Sequence, residues 1–287
     1  MRGCVTLFAM TQTPLPSSDR ATFPCRMCGA TDLRPFYTLG NDGQFRYFRC
    51  ANCGLANYDL GGGMDQSQYT RIVVDPSDDT NPRNHHNDAA FRFLQKNLPT
   101  PGRLMDVGCG NGRILWRAKQ AGWYVKGLEL SEEMSRYASE MVGCEVVAND
   151  FLQEEPPPQD RESFDVVSLR HVLEHLPYPL VAMEKISNLL KPGGHLLVEI
   201  PNIDGWSKRW VRFIAGTGLH KRRFPPDFMT GHLCEYSHRS FSELMNRSGY
   251  RLLKWETYTK KPVGNWLLEK FPIGTKARAL AQRLPVH

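Results

Sequence analysis

The run Leu104-Met-Asp-Val-Gly-Cys-Gly-Asn-Gly-Arg-Ile-Leu115 constrains this chain more than any other stretch. An apolar strand ending near Asp106 passes into Gly108, Gly110 and Gly112, and helix-forming residues follow from Arg113 to Gln120. Glycines at alternate positions permit a tight strand-to-helix turn and let a ligand approach the backbone closely. Such a chain is expected to be an α/β protein whose cleft holds a nucleotide-sized ligand.

The flanking pattern agrees. Strands are expected at 103–107, 124–130, 145–149, 164–169, 195–200 and 250–258 with helices between them, as in a mostly parallel sheet covered on both faces. A helix over 87–98 carries Ala90, Phe91, Phe93, Leu94 and Leu98 at helical spacing and is expected to cover one side of the cleft. No apolar run approaches the ~20 residues that span a bilayer.

Nearer the N-terminus, Cys25-Arg-Met-Cys28 and Cys50-Ala-Asn-Cys53 are each followed by glycine, Gly29 and Gly54. Four thiolates on two tight knuckles close a tetrahedral Zn²⁺ site and leave no open coordination position, so the metal is expected to be structural. Short strands at 33–39 and 44–49 around Gly40-Asn-Asp-Gly43 complete a zinc ribbon over 21–60, too small to fold on its apolar surface alone. Residues 1–20 read as a disordered tail and 61–86 as a linker with a short helix at 66–73. A large domain is expected over 87–260 and a basic amphipathic tail over 261–287. The other cysteines show no disulfide-like pattern, which suits a reducing, cytoplasmic compartment. The net charge of +6 would suit an anionic substrate, RNA or an acidic membrane surface without deciding among them.

Two cofactors compete for the glycine turn. A dinucleotide fingerprint places its third small residue three positions after the second glycine, and Arg113 stands there instead. S-adenosylmethionine fits better. Asp106 at a strand end suits its cationic amino group, and Glu129, closing the next strand, can accept both ribose hydroxyls.

In this respect the sequence resembles the class I S-adenosylmethionine-dependent methyltransferases over roughly 87–258. The resemblance rests on DVGCGNG at Asp106–Gly112, on Glu129, on Asn149-Asp-Phe151, on Phe164-Asp-Val-Val167 and on Leu190-Lys-Pro-Gly-Gly194. It implies a Rossmann-like fold. It also implies that Asp150 bonds the adenine amino group, that Leu130 or Phe151 flanks the ring, and that Arg170 to His175 borders both methyl donor and acceptor. Glu174-His175 is similar to quinone O-methyltransferases, in some of which this segment approaches a divalent metal. The same residues spell HxxEH, a zinc-peptidase pattern, but Pro177 cuts the required helix short.

His171, His175 and His232 are the candidate general bases, since imidazole titrates near neutrality. The rival for His175 is a packing role. The block Gly231-His-Leu-Cys-Glu-Tyr-Ser237 is similar to one in bacterial methyltransferases that carry a zinc ribbon, and it is expected to turn His232 and Tyr236 toward the acceptor before a helix capped by Ser237. Trp206, Trp210, Phe213 and Ile214 share a helical face flanked by Lys208, Arg209 and Arg212, so 203–224 reads as a lid, a membrane-surface helix, an RNA contact or a core-packing helix. The family's seventh strand is expected to be missing, with 265–284 capping the sheet edge or lying on a membrane. The expected activity is O-methylation of a small polar acceptor such as a sugar. An RNA acceptor docked on ribbon and basic patch, and a non-enzymatic cofactor-binding module, are the alternatives; oligomeric state is left open.

Overall fold

In the computed structural model the described residues are 21–65, 74–206, 208–210, 212, 224–225, 227–259 and 274–285. The expected tail at 1–20, the short helix at 66–73, and Phe213, Ile214 and 220–223 of the acceptor-side segment lie outside them.

The large sheet is organised by buried apolar strands. β4 (Arg103–Val107), β5 (Tyr124–Glu129), β6 (Val146–Ala148), β7 (Phe164–Arg170) and β8 (Leu190–Pro201) run parallel. β10 (Tyr250–Tyr258) and β11 (Lys276–Arg283) complete it in the order β10-β11-β8-β7-β4-β5-β6. Helices α1 (Pro82–Asn97), α2 (Arg113–Gln120), α3 (Glu132–Val142), α4 (Pro179–Leu189) and α5 (His238–Arg247) accompany these strands. Ser237 caps α5 through the amide of Ser240, as its position in the sequence implied. Lys191-Pro-Gly-Gly194 is a bulge within β8, because Leu190 pairs with Phe164 and pairing resumes at His195 with Val166.

The seventh strand is present, contrary to expectation. β11 lies antiparallel between β8 and β10, with Lys276 opposite Pro201 and Gln282 opposite His195. Lys-Ala-Arg-Ala-Leu-Ala-Gln-Arg is built of helix formers and reads as a tail. Two strands with open hydrogen-bonding edges override that local preference. The C-terminal tail expected over 261–287 therefore does not hold at 276–283, and 260–273 lie outside the described residues.

The cysteine ribbon is tied into the large domain. β1 (Leu33–Leu39), β2 (Phe45–Cys50) and β3 (Ala56–Tyr58) form an antiparallel sheet whose fourth strand, β9 (Cys234–Glu235), comes from beyond β8. Leu33, Phe45, Tyr47, Leu55 and Tyr58 belong to one buried cluster with Val198, Ile200, Leu233 and Phe241. Packing against the sheet thus supplies apolar burial that a ribbon of this size lacks by itself.

Candidate active site

The glycine turn sits at the C-terminal ends of β4 and β5, the usual position for a ligand in an open α/β sheet. Gly110 has φ +55°, and among the described residues no atom beyond its two chain neighbours lies within 4 Å of where a Cβ would stand. Gly112 has φ +77° and faces Val142 and Ala138 of α3, so a side chain there would collide with a helix. The turn is thus open at Gly110 and packed against α3 at Gly112.

Asp106 is 1% exposed at the end of β4. Its Oδ1 accepts a 2.5 Å hydrogen bond from Ser168, while its Oδ2 is buried with no partner among the described residues. Burial pushes the carboxyl up from 3.8 to about 6 against the pull of Arg170. An orphaned carboxylate oxygen is what an incoming ammonium group would satisfy. Glu129 closes β5 and accepts the Gly110 amide at 2.8 Å and the Ser131 amide at 3.3 Å. Leu130 is exposed beside it. Asp150 and Phe151 follow β6, where Asp150 Oδ1 holds the Leu152 amide at 3.0 Å.

Arg113 explains why the third spaced glycine is absent. It is fully buried, and its guanidinium meets Asp88 of α1 at 2.7 Å and Asp79 at 2.6 Å. Arg117 joins the same two carboxylates, so α1 is locked to α2 beside the turn. Asn111 Nδ2 adds a 2.8 Å bond to Val74 O. Nothing in the sequence pattern pairs these positions.

A buried ionic network joins β7, β8, β10 and β11. Arg170 bonds Glu199 at 3.0 Å and also donates to Asn87 Oδ1. Arg278, on the unexpected β11, meets Glu199 at 2.6 Å, and Tyr258 donates to the same carboxylate at 2.9 Å. Burial would raise Glu199, but Arg278 and Arg170 hold it at about 2.

The three candidate histidines have different surroundings. His171 has φ +56°; its Nδ1 lies 3.2 Å from Glu174 and its Nε2 3.0 Å from Lys276 Nζ, so both ring nitrogens are engaged. His175 Nδ1 lies 2.7 Å from Gly231 O, and burial lowers its pKa. His232 Nδ1 lies 3.1 Å from Glu235; burial would lower its pKa, but the Glu235 carboxylate raises it. The His175 and His232 rings meet edge to face at 5.0 Å. Glu174, His175 and His232 each offer a ligand atom within 4.8 Å of the others, and Glu174 Oε2 is buried without a partner among the described residues. Tyr236, expected to face the acceptor, is instead fully buried against Phe241. Glu235, by contrast, was not singled out in sequence although it stands three residues after His232.

At the ribbon, Cys25 and Cys53 sulfurs lie 3.5 Å apart and those of Cys28 and Cys50 3.6 Å. All four ligand atoms fall within 4.8 Å of one another. A Zn–S distance of about 2.3 Å in a tetrahedron needs sulfurs ~3.8 Å apart, so the four fit that ion with little adjustment.

Sheet order, the glycine turn after β4, Glu129 at the end of β5 and the inserted antiparallel β11 define the fold of the class I S-adenosylmethionine-dependent methyltransferases. A family model described as a methyltransferase domain matches residues 83–254, more than half of the chain, and the chain belongs to that family. It is 33% identical over 145 residues to the ubiquinone biosynthesis O-methyltransferase of Ralstonia nicotianae, which covers 49% of this chain and 61% of that protein. The Xylella fastidiosa protein of the same name is 30% identical over 138 residues, 45% of this chain and 54% of that one. The chain thus matches less than two thirds of either relative. Among solved structures, the PH0226 protein of Pyrococcus horikoshii superposes with TM-score 0.55 at 16% identity, over 75% of this chain and 98% of that one. The 1,6-didemethyltoxoflavin-N1-methyltransferase of Burkholderia thailandensis gives 0.51 at 14%, over 88% and 99%. These two likenesses concern the fold. Among the described residues no helix is long and apolar enough to cross a membrane.

Proposed function

We propose that the chain transfers the methyl group of S-adenosylmethionine to a hydroxyl oxygen of a small acceptor, with His232 as general base. The observation that carries the assignment of the base is the Glu235–His232 pair, a carboxylate–imidazole dyad beside His175 in the turn after β7. The name of the R. nicotianae relative supports oxygen as the receiving atom.

Asp106, Gly108, Gly110 and Gly112 hold the methionine portion, Asp106 taking the amino group with its unsatisfied oxygen. Glu129 takes the ribose, Leu130, Asp150 and Phe151 the adenine, and Arg170 closes the floor through Glu199. S-adenosylmethionine supplies an activated methyl group on a sulfonium, so orientation of the acceptor does much of the work. The acceptor hydroxyl gives its proton to His232 Nε2 while its oxygen forms the new bond to carbon; the electron pair of the broken C–S bond stays on sulfur. The Glu235 carboxylate favours the imidazolium that results. His171 is unsuited to this task because both its nitrogens are engaged.

Incubation with methyl-labelled S-adenosylmethionine and a fractionated metabolite extract tests the assignment. Label is expected in a small hydroxyl compound, with turnover lost in His232→Gln and retained in His171→Gln. Turnover should also fall as pH drops below neutrality, because His232 must be neutral to accept a proton. Equal activity in His232→Gln would remove this residue as the base.

A divalent cation is the second reading of the same corner, favoured by the partnerless Glu174 Oε2 beside two imidazoles. Mn²⁺ paramagnetic resonance on the zinc-loaded chain decides it: a bound signal lost in Glu174→Gln supports the cation, and no bound signal excludes Mn²⁺ there.

A further inference from the structure

The cysteine ribbon and the acceptor side of the cleft share one hydrogen-bonded frame. β3 pairs with β9, so Ala56 stands opposite Glu235 and Asn57 opposite Cys234. Tyr58 N donates to Leu233 O at 2.9 Å, and Asp65 N to Thr230 O at 3.2 Å. Segment 230–235 is therefore laid against the ribbon by backbone bonds.

Two ribbon tyrosines extend that contact to the histidine. The Tyr47 hydroxyl lies 2.7 Å from Thr230 Oγ1 and donates to His232 O at 2.9 Å. Tyr37 donates to Glu235 Oε2 at 2.5 Å, while Glu235 Oε1 faces His232 Nδ1 at 3.1 Å. The two phenol rings stack at 4.6 Å with 7° between their planes, so their hydroxyls are set as a pair. Both sit on strands tied to the cysteine knuckles: Tyr47 is three residues from Cys50, the end of β2, and Tyr37 pairs with Tyr47 across β1 and β2. Glu235 is only 6% exposed. A buried carboxylate bridging two donors from different modules has little freedom to turn.

We propose that the ribbon serves to position His232: Tyr37 and Tyr47, acting through Glu235 and the 230–232 backbone, hold the imidazole against His175 with its proton on Nδ1. The ribbon is then the frame of the acceptor wall, and the metal at its knuckles sets the order of that wall without touching the acceptor. The catalytic consequence rests on the reading of His232 as base, whereas the positioning itself does not.

The test uses the full zinc-loaded chain, ¹⁵N-labelled at histidine. In the parent protein the His232 Nδ1 proton is expected to be a slowly exchanging resonance. Tyr37→Phe and Tyr37→Phe/Tyr47→Phe should speed its exchange by about tenfold or more, the equivalent of one lost hydrogen bond. Binding of S-adenosylhomocysteine by calorimetry should change less than about twofold, since neither tyrosine touches the glycine turn. Unchanged exchange in the double variant overturns the proposal. Loss of His232 as base, with exchange still accelerated, would fault the catalytic reading alone. A second measurement removes zinc with a chelator and follows amide exchange: protection at 230–236 should fall about tenfold while 103–113 stays protected. Retained protection at 230–236 overturns the coupling to the metal, and if the whole chain opens, the tyrosine variants decide.

Discussion

Replacing Asp106 by asparagine should make the empty protein more stable and its cofactor binding weaker. The carboxyl is buried, with one oxygen partnerless, and burial raises it from 3.8 to about 6. The folded protein therefore binds this proton more tightly than the unfolded chain does. The penalty is absent below about pH 4, grows as pH rises toward about 6, and is fully present at pH 7. At ~1.4 kcal/mol per pH unit, the interval from 3.8 to about 6 amounts to ~3 kcal/mol. Asp106→Asn removes the charge and keeps the shape, so the ligand-free variant should gain up to about 3 kcal/mol at neutral pH, less the cost of burying the amide. Binding moves the other way. A cationic amino group deprived of its carboxylate loses about 1.5–3 kcal/mol, or roughly ten- to a hundredfold in affinity. Chemical denaturation without ligand, and calorimetry with S-adenosylhomocysteine from pH 5 to 8, measure both effects. The parent affinity should fall as pH drops below about 6, and the variant profile should be flat. A variant that is less stable than the parent and binds equally well would show that the Asp106 carboxylate neither carries a burial penalty nor holds the amino group.

Gly110→Ala should leave the fold nearly intact, because nothing lies within 4 Å of the new methyl, at a cost of about 1–2 kcal/mol for the positive φ; calorimetry should show cofactor affinity reduced by about tenfold or more. Glu199→Gln leaves Arg170 and Arg278 buried against a neutral amide and should destabilise by about 3–5 kcal/mol in denaturant titrations at pH 7. Since the folded carboxyl is held at about 2, below its ordinary 4.5, its contribution is present above pH 4.5 and lost as pH falls toward 2. The gap between parent and variant should accordingly close in acid. Elemental analysis should find about one zinc per chain, lost in Cys28→Ser, because four sulfurs within 4.8 Å of one another suit a shared tetrahedral ion.

Much of the fold was legible because local signals and global architecture agree. β4, β10 and α2 begin and end where pattern and turn residues place them. The cysteine pairs and their glycines announce the ribbon. What stayed illegible depends on partners distant in sequence. β11 reads as a helix since Ala, Leu, Arg and Lys dominate it, and only the open edges of β8 and β10 make it a strand. Arg113 could be seen to break the dinucleotide spacing, yet its meeting with Asp79 and Asp88 arises from tertiary packing. Tyr236 lies next to a site residue but turns into the core, while Glu235, whose neighbour Cys234 is also buried, bonds both His232 and Tyr37. Strand register on the ribbon decides which of these neighbours reaches the cleft, and no residue type encodes that register alone.

In the proposed reaction the cleft over Gly110 delivers a methyl group to an acceptor held against His232. Single-turnover transfer from methyl-labelled S-adenosylmethionine to acceptors captured from a metabolite extract, in parent, His232→Gln and Asp106→Asn proteins, distinguishes this reaction from cofactor binding alone. Labelled product is expected from the parent at a rate that falls below neutral pH, bound cofactor without transfer in His232→Gln, and weak binding in Asp106→Asn. Cofactor bound tightly by the parent, with no labelled product from any fraction, would contradict it.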